Sequence, residues 1–277
     1  MTFNAIPHLE GWLALEKDDY LSASQRYTDA LKDDPTNAVA SVRLGWALYC
    51  QGRYNEALAA YSECNYYHKD SSAALSGMGL VYCALKDYHS AVEKSLEAIA
   101  QSPENVYSYL YLSYIYRSNR DYQKSKKALQ AALRLEPGNG DVHYELGAVA
   151  RSNRDYAVAR QHYTTALQIK PKSAGFNLGM GIVLLDTKEY LSAREAFLRA
   201  LEMRPNWPYA LLAFAIAETK LRHFESASSA LRRIIEISPG MIVAYRKLIR
   251  LNFRLLRWRE GLAVSHQFIH HFYTTLD

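Results

Sequence analysis

Residues 105–122 read NVYSYLYLSYIYRSNRDY. Tyr107, Tyr109 and Tyr111 alternate, and Tyr114, Tyr116 and Tyr122 follow, so six of the chain's 22 tyrosines lie in this one stretch. Aromatic residues at a period of two are the usual signature of a half-buried strand. The last six residues overrule that reading. RSNRDY at 117–122 recurs unchanged at 151–156, which turns the question from local propensity to long-range period.

The period is 34 residues, and it extends outward in both directions. Pro35, Pro103, Pro137, Pro171, Pro205 and Pro239 fall on one grid, with Lys69 at the node that lacks proline. Tyr20, Tyr54, Tyr88, Tyr122, Tyr156, Tyr190, Phe224 and Trp258 form an aromatic series. Ala23, Ala57, Ala91, Ser125, Ala159, Ala193, Ala227 and Gly261 follow three positions later. Gly11, Gly45, Gly79, Ser113, Gly147, Gly181 and Ala215 form another small-residue series, which ends at Ile249. Four series in register without insertion or deletion define eight tandem units, approximately 4–37, 38–71, 72–105, 106–139, 140–173, 174–207, 208–241 and 242–277.

Each unit holds two apolar-periodic segments of helical length, split by a short polar turn such as Asn119-Arg120-Asp121. The proline stops the second helix. A mid-helix glycine costs about 1 kcal/mol relative to alanine. Its repetition therefore predicts that two helix backbones approach closely there. The recurrent aromatic opens the second helix and is expected to pack across its own turn. On a helix Tyr107, Tyr111 and Tyr114 share one face, and Tyr109, Leu112 and Tyr116 share the opposite one, so the apparent alternation is two faces superposed.

Leu44-Gly45, Met78-Gly79, Leu146-Gly147 and Met180-Gly181, followed by Ala57…Tyr61, Ala159…Tyr163 and Ala193…Phe197 and then proline, resemble the tetratricopeptide repeat. The resemblance covers nearly the whole chain. It implies an all-α fold, a right-handed superhelical α-solenoid of about 16 helices in which each unit touches only its neighbours, here as one domain over residues 1–277. It further implies that the first helix of each unit lines a concave groove for a peptide or helical segment of a protein partner.

Trp12, Trp46, Leu80, Tyr114 and Arg250 share one grid position on that face, and Tyr49, Tyr107, Tyr111 and Tyr144 add aromatic area. Arg117 and Arg151 are equivalent in the fourth and fifth units. They are expected to meet ligand carboxylates through the guanidinium fork or to pair with nearby Asp and Glu. Arg246, Arg250 and Arg254 follow i, i+4, i+8 spacing, one basic stripe with Lys247 beside it. These thirteen residues are the candidate partner-binding groove. The Lys and Asn clamp with which some relatives grip acidic chaperone tails is missing, since His8, Trp12, Arg43, Ala73 and Gly77 stand at those positions. Lys69, in the node without proline, marks a candidate hinge.

The chemistry-bearing motifs of nucleotide, metalloprotease and hydrolase sites are missing from the sequence, so no catalytic residue, cofactor or metal is expected. Adjacent His270 and His271 diverge by about 100° on a helix and do not share a metal. A net charge of +5 over 277 residues is too mild to indicate nucleic acid. Cys50, Cys64 and Cys83 show no metal or disulfide spacing, which points to a reducing compartment and a cytoplasmic location. No signal peptide and no membrane-length apolar run is visible. The missing catalytic motifs fit a non-enzymatic scaffold for protein–protein interaction, and the resemblance to the tetratricopeptide repeat implies the role of an assembly factor for a secretion, pilus or envelope complex. The alternative is a structural protein that self-associates through uncapped terminal helices, as the apolar Phe268, Ile269, Phe272 and Tyr273 near the end suggest.

Overall fold

The computed structural model describes residues 20–68 and 71–273. All regular structure among them is α-helical: α1 Tyr20–Asp33, α2 Ala38–Cys50, α3 Tyr54–Tyr67, α4 Ser72–Ala84, α5 Tyr88–Gln101, α6 Val106–Ser118, α7 Tyr122–Leu135, α8 Gly140–Ser152, α9 Tyr156–Ile169, α10 Ala174–Asp186, α11 Tyr190–Met203, α12 Pro208–Lys220, α13 Phe224–Ile237, α14 Ile242–Arg254 and α15 Trp258–Tyr273. The stretch 105–122 is thus helix α6 running into the first residue of α7, not a strand. The candidate hinge Lys69 and the groove candidate Trp12 lie outside the described residues.

Every member of the aromatic series from Tyr20 to Trp258 is the first residue of a second helix. Two of them pack back across their own turns, Tyr54 on Tyr49 and Trp258 on Phe253, with ring centroids 5.7 and 5.4 Å apart. Each proline of the series stands just past the end of a second helix, where it has no helical N–H to withhold. The next helix then starts on a side-chain cap at Asn37, Ser71, Asn105, Asn139 and Ser173. At α12 the cap is replaced by Pro208 in the first turn after Trp207, which presets the backbone for helix entry.

The polar turn inside each hairpin has one conformation throughout. Gly52, Lys86, Arg120, Arg154, Lys188, Arg222 and Leu256 occupy the same grid node, all with φ between 60° and 76°. The following amide reaches back to the helix, as in Asp155 N to Ala150 O at 2.8 Å and Glu189 N to Leu184 O at 2.8 Å. This closes the helix ends in a left-handed cap, although only Gly52 is the residue type that adopts it freely.

The glycine series serves close approach, but its partner is mostly a ring rather than a backbone. A Cβ on Gly45 would meet the Tyr61 ring at 2.7 Å, one on Gly147 the Tyr163 ring at 2.9 Å, and one on Gly181 the Phe197 ring at 2.4 Å. Only Gly79 behaves as expected, with Ala91 O at 3.0 Å and Ser95 Oγ at 2.6 Å. The grid shows why. The second-helix position opposite the series holds Tyr61, Ser95, Leu129, Tyr163, Phe197, Leu231 and Ser265. Gly45, Gly147 and Gly181 stand where a ring must fit, and the grid pairs Ala215 with Leu231 and Ile249 with Ser265, whereas Gly79 and Ser95 are both small. In the Gly45, Gly147 and Gly181 hairpins the missing side chain makes room for the ring.

The hairpins gather into two compact units, one of residues Leu15–Ile169 and one that includes Lys170–Asp277. In the first, Tyr61, Leu75, Val81 and Ala98 anchor a core under α2 to α5. In the second, Phe197, Trp207, Ala217, Leu231, Ile234, Tyr245 and Leu248 form one continuous core. Each unit is a solenoid of two-helix repeats, in agreement with the expected fold class.

Candidate functional site

The first-helix face of the first unit is largely consumed by the protein itself. Leu80, Tyr111 and Tyr144, expected in the groove, are 1%, 2% and 6% exposed and belong to the core. Helical spacing alone puts Tyr111 on the open face, yet the side chain is buried. Trp46 and Tyr49 stack with centroids 5.6 Å apart, and both are half-buried. Burial holds the Tyr49 phenol far above its ordinary range and pushes Tyr114 up to about 12. Tyr107 is half-buried, and its phenol is raised for the same reason.

Arg117 does not offer its fork to solvent. Its Nη2 donates to Glu145 Oε2 at 3.3 Å, and its guanidinium lies 5.2 Å from the Tyr114 ring centroid. The side chains are 23% and 3% exposed. Burial opposes the Arg117 charge, yet Glu145 and the surrounding tyrosines outweigh it and hold its pKa above the ordinary value. Burial pushes the Glu145 carboxyl upward in spite of Arg117, and Asp141 adds to the shift. Arg151, the grid equivalent of Arg117, is half-buried and hydrogen-bonds Tyr163. Arg117 thus takes the internal carboxylate pairing, and Arg151 meets a phenol instead.

The second unit differs. Helices α12 and α14 border a groove of about 560 Å³ with Ala215, Ile216, Leu231, Val243 and Leu251 along its floor and walls. Arg246, Arg250 and Arg254 all line it, together with Lys220, Thr219 and Lys247. The amphipathicity of α14 creates this arrangement. Ala244, Tyr245, Leu248 and Leu251 turn inward and are buried, which sets Arg246, Lys247, Arg250 and Arg254 on the exposed side. Arg254 also lies 5.6 Å from the Phe224 ring centroid.

The charge in this groove is uncompensated. Elsewhere in the same unit arginines have carboxylate partners: Arg194 with Glu218, Arg232 with Glu260, Arg233 with Glu236 and Arg257 with Glu225. Lys220, Arg246, Lys247, Arg250 and Arg254 form no ion pair among the described residues. Helix α14 contains no acidic residue, and the one acid of α12, Glu218, is buried against Arg194 and His223. Lys220 escaped the sequence reading although the signal was present, since it is the grid equivalent of Arg254.

Among the described residues no group of His, Cys, Asp and Glu could hold a metal ion, and no helix is long and apolar enough to cross a membrane. The groove sets cations beside apolar side chains along one open surface.

Comparison with known proteins agrees with the geometry. Family models described as tetratricopeptide repeat match residues 14–80, 112–174 and 150–214, which together make up more than half of the 277 residues. No curated protein matches the chain. Among solved structures, the APC/C hetero-tetramer Cut9–Hcn1 superposes with a TM-score of 0.67 at 20% identity, over 85% of this chain and 47% of that one. The chain therefore spans less than half the length of that neighbour. A tetratricopeptide repeat protein of Parabacteroides merdae gives 0.66 at 14% identity, over 86% and 93%. The pilF protein of Pseudomonas aeruginosa gives 0.56 at 18% identity, over 76% and 95%. At these identities the likeness is one of fold. The repeat grid, the helix boundaries and the family matches agree, and the chain belongs to the tetratricopeptide repeat family.

Proposed function

We propose that the protein is a non-enzymatic scaffold that binds a segment of a partner protein in the groove between α12 and α14, in the manner of an assembly factor. One observation carries this reading. The groove combines the accessible apolar side chains of Ile216 and Val243 with five cations that form no ion pair among the described residues, whereas Leu80, Tyr111 and Tyr144 of the first unit are buried. Arginine and apolar residues meeting in a concave site are the usual anchors of a protein interface.

The test is affinity capture from native lysate with the wild-type chain and with Ile216→Asp/Val243→Asp, followed by direct titration of the recovered protein. Both substitutions add carboxylates to the apolar lining while leaving the buried core alone. Loss of binding with a retained helical circular dichroism spectrum supports the groove. A variant that binds as tightly as wild type removes it.

Self-association is the second reading, favoured by the exposure of Trp258, Leu262 and Ile269 on the terminal helix α15. Phe268 and Phe272 of the same helix are already spent on Tyr245. Light scattering over a concentration series decides it, and a constant monomer mass excludes it.

A further inference from the structure

The occupant of the groove can be specified from its charge and spacing. We infer that the groove grips an acidic segment of the partner protein whose carboxylates repeat about every 6 Å; this rests on the scaffold reading above and narrows it. Arg246, Arg250 and Arg254 stand one helical turn apart, so their Cα atoms are spaced by about 6 Å along α14. Carboxylates four residues apart on a helix repeat at the same interval, and those on alternate residues of an extended strand at about 6.7 Å. Either form lays one acid opposite each arginine. Lys220, on the facing helix α12, adds a cation from the other wall.

The lining argues for a protein segment over a nucleic acid. Single-stranded nucleic acid is held by a basic track together with aromatic platforms on which bases stack. No aromatic side chain lines this groove; its apolar surface comes from Ala215, Ile216, Val243 and their neighbours. That surface suits the aliphatic side chains that alternate with acids in an amphipathic segment. An Arg fork pairs with a carboxylate through two parallel hydrogen bonds, and Arg246, Arg250 and Arg254 are exposed, with only Arg254 engaged among the described residues, over the Phe224 ring. Filling the groove with acids would relieve repulsion among five cations that form no ion pair among the described residues.

The experiment is fluorescence anisotropy on the full chain at low salt. The probe is a fluorescein-labelled peptide with Glu at every fourth position and Ala or Leu between. Its controls are the counterpart with Lys in place of Glu and single-stranded poly(U). Saturable binding of the Glu peptide alone is expected, weakening as salt rises. Arg246→Glu/Arg250→Glu should lower the affinity at least about tenfold. Lys172→Glu/Arg259→Glu, which changes net charge equally away from the groove, should lower it far less. The inference is overturned if the Glu peptide fails to bind, if the Lys peptide binds as well, if both double variants lose affinity alike, or if poly(U) binds as tightly as the Glu peptide. Should partner capture still depend on Ile216 and Val243 while the Glu peptide fails, the acidic occupant is wrong and the scaffold reading stands. Partner capture that ignores Ile216 and Val243 removes the scaffold reading itself.

Discussion

Gly147 and Tyr163 are a fitted pair: a Cβ on the glycine would stand 2.9 Å from Cε1 of the tyrosine ring. The seventh unit solves the same space with Ala215 and Leu231. Gly147→Ala should therefore cost about 1–3 kcal/mol by overpacking, and the cost should shrink when Tyr163 is replaced by Leu. A double-mutant cycle by urea unfolding measures the coupling. Additive effects would show that ring and glycine do not share one volume.

The pair Arg117–Glu145 gives a second test. Glu145→Ala leaves a guanidinium with 23% exposure and no carboxylate. Its expected cost is about 3 kcal/mol, the low end for a broken buried pair because Arg117 is not fully buried.

The same pair has a pH signature of definite sign. The folded-state pKa of Glu145 is raised, so its stabilising contribution is complete below the ordinary carboxylate range, near 4.3, and is lost as pH rises through the raised value. Comparing wild type with Glu145→Gln at pH 4 and pH 7, the difference should move in favour of the Gln variant at pH 7. Movement in the opposite direction would mean that Arg117 outweighs burial at the carboxylate.

The intra-hairpin turns hold six non-glycine residues at positive φ. Replacing Arg154 by Gly should raise stability by up to about 1 kcal/mol, since the left-handed strain exceeds the added chain entropy. Gly52→Ala at the equivalent turn should lower it by a similar amount. Thermal melts of both variants against wild type check the pair of signs.

The thiols should be slow to react. Burial pushes Cys50 up to about 12 and raises Cys64 and Cys83 as well. At pH 8 roughly one Cys50 in ten thousand is a thiolate. Native-state alkylation followed by mass spectrometry should therefore proceed far more slowly than in urea and accelerate about tenfold per pH unit from 8 to 9.

The fold was legible because a repeat multiplies weak signals. One proline or one glycine says little, but six prolines on one grid locate every helix end they follow, and the aromatic series marks every second-helix start. The partner of each glycine was not legible from its own series. It emerges when that series is set against Tyr61, Ser95, Leu129, Tyr163, Phe197 and Leu231, because packing volume is a property of pairs. Charge patterning along one helix was legible, and burial between helices was not. Arg246, Arg250 and Arg254 line one concavity, as their shared helix face allows. Tyr111 and Tyr144 have the right helical face, yet both are buried, Tyr144 against Tyr163 of its own hairpin, and no single-helix pattern reports that. Arg117 found Glu145, 28 residues away, an encounter set by the stacking of adjacent repeats.

Hydrogen–deuterium exchange on the full chain, with and without the captured partner, tests the docking groove most directly. Binding should slow exchange in α12 and α14, around Ile216, Lys220 and Arg246 to Arg254, while the tyrosine-rich α6 stays unchanged. Protection confined to α6 or to α15, with α12 and α14 unaffected, would contradict the groove as the docking site.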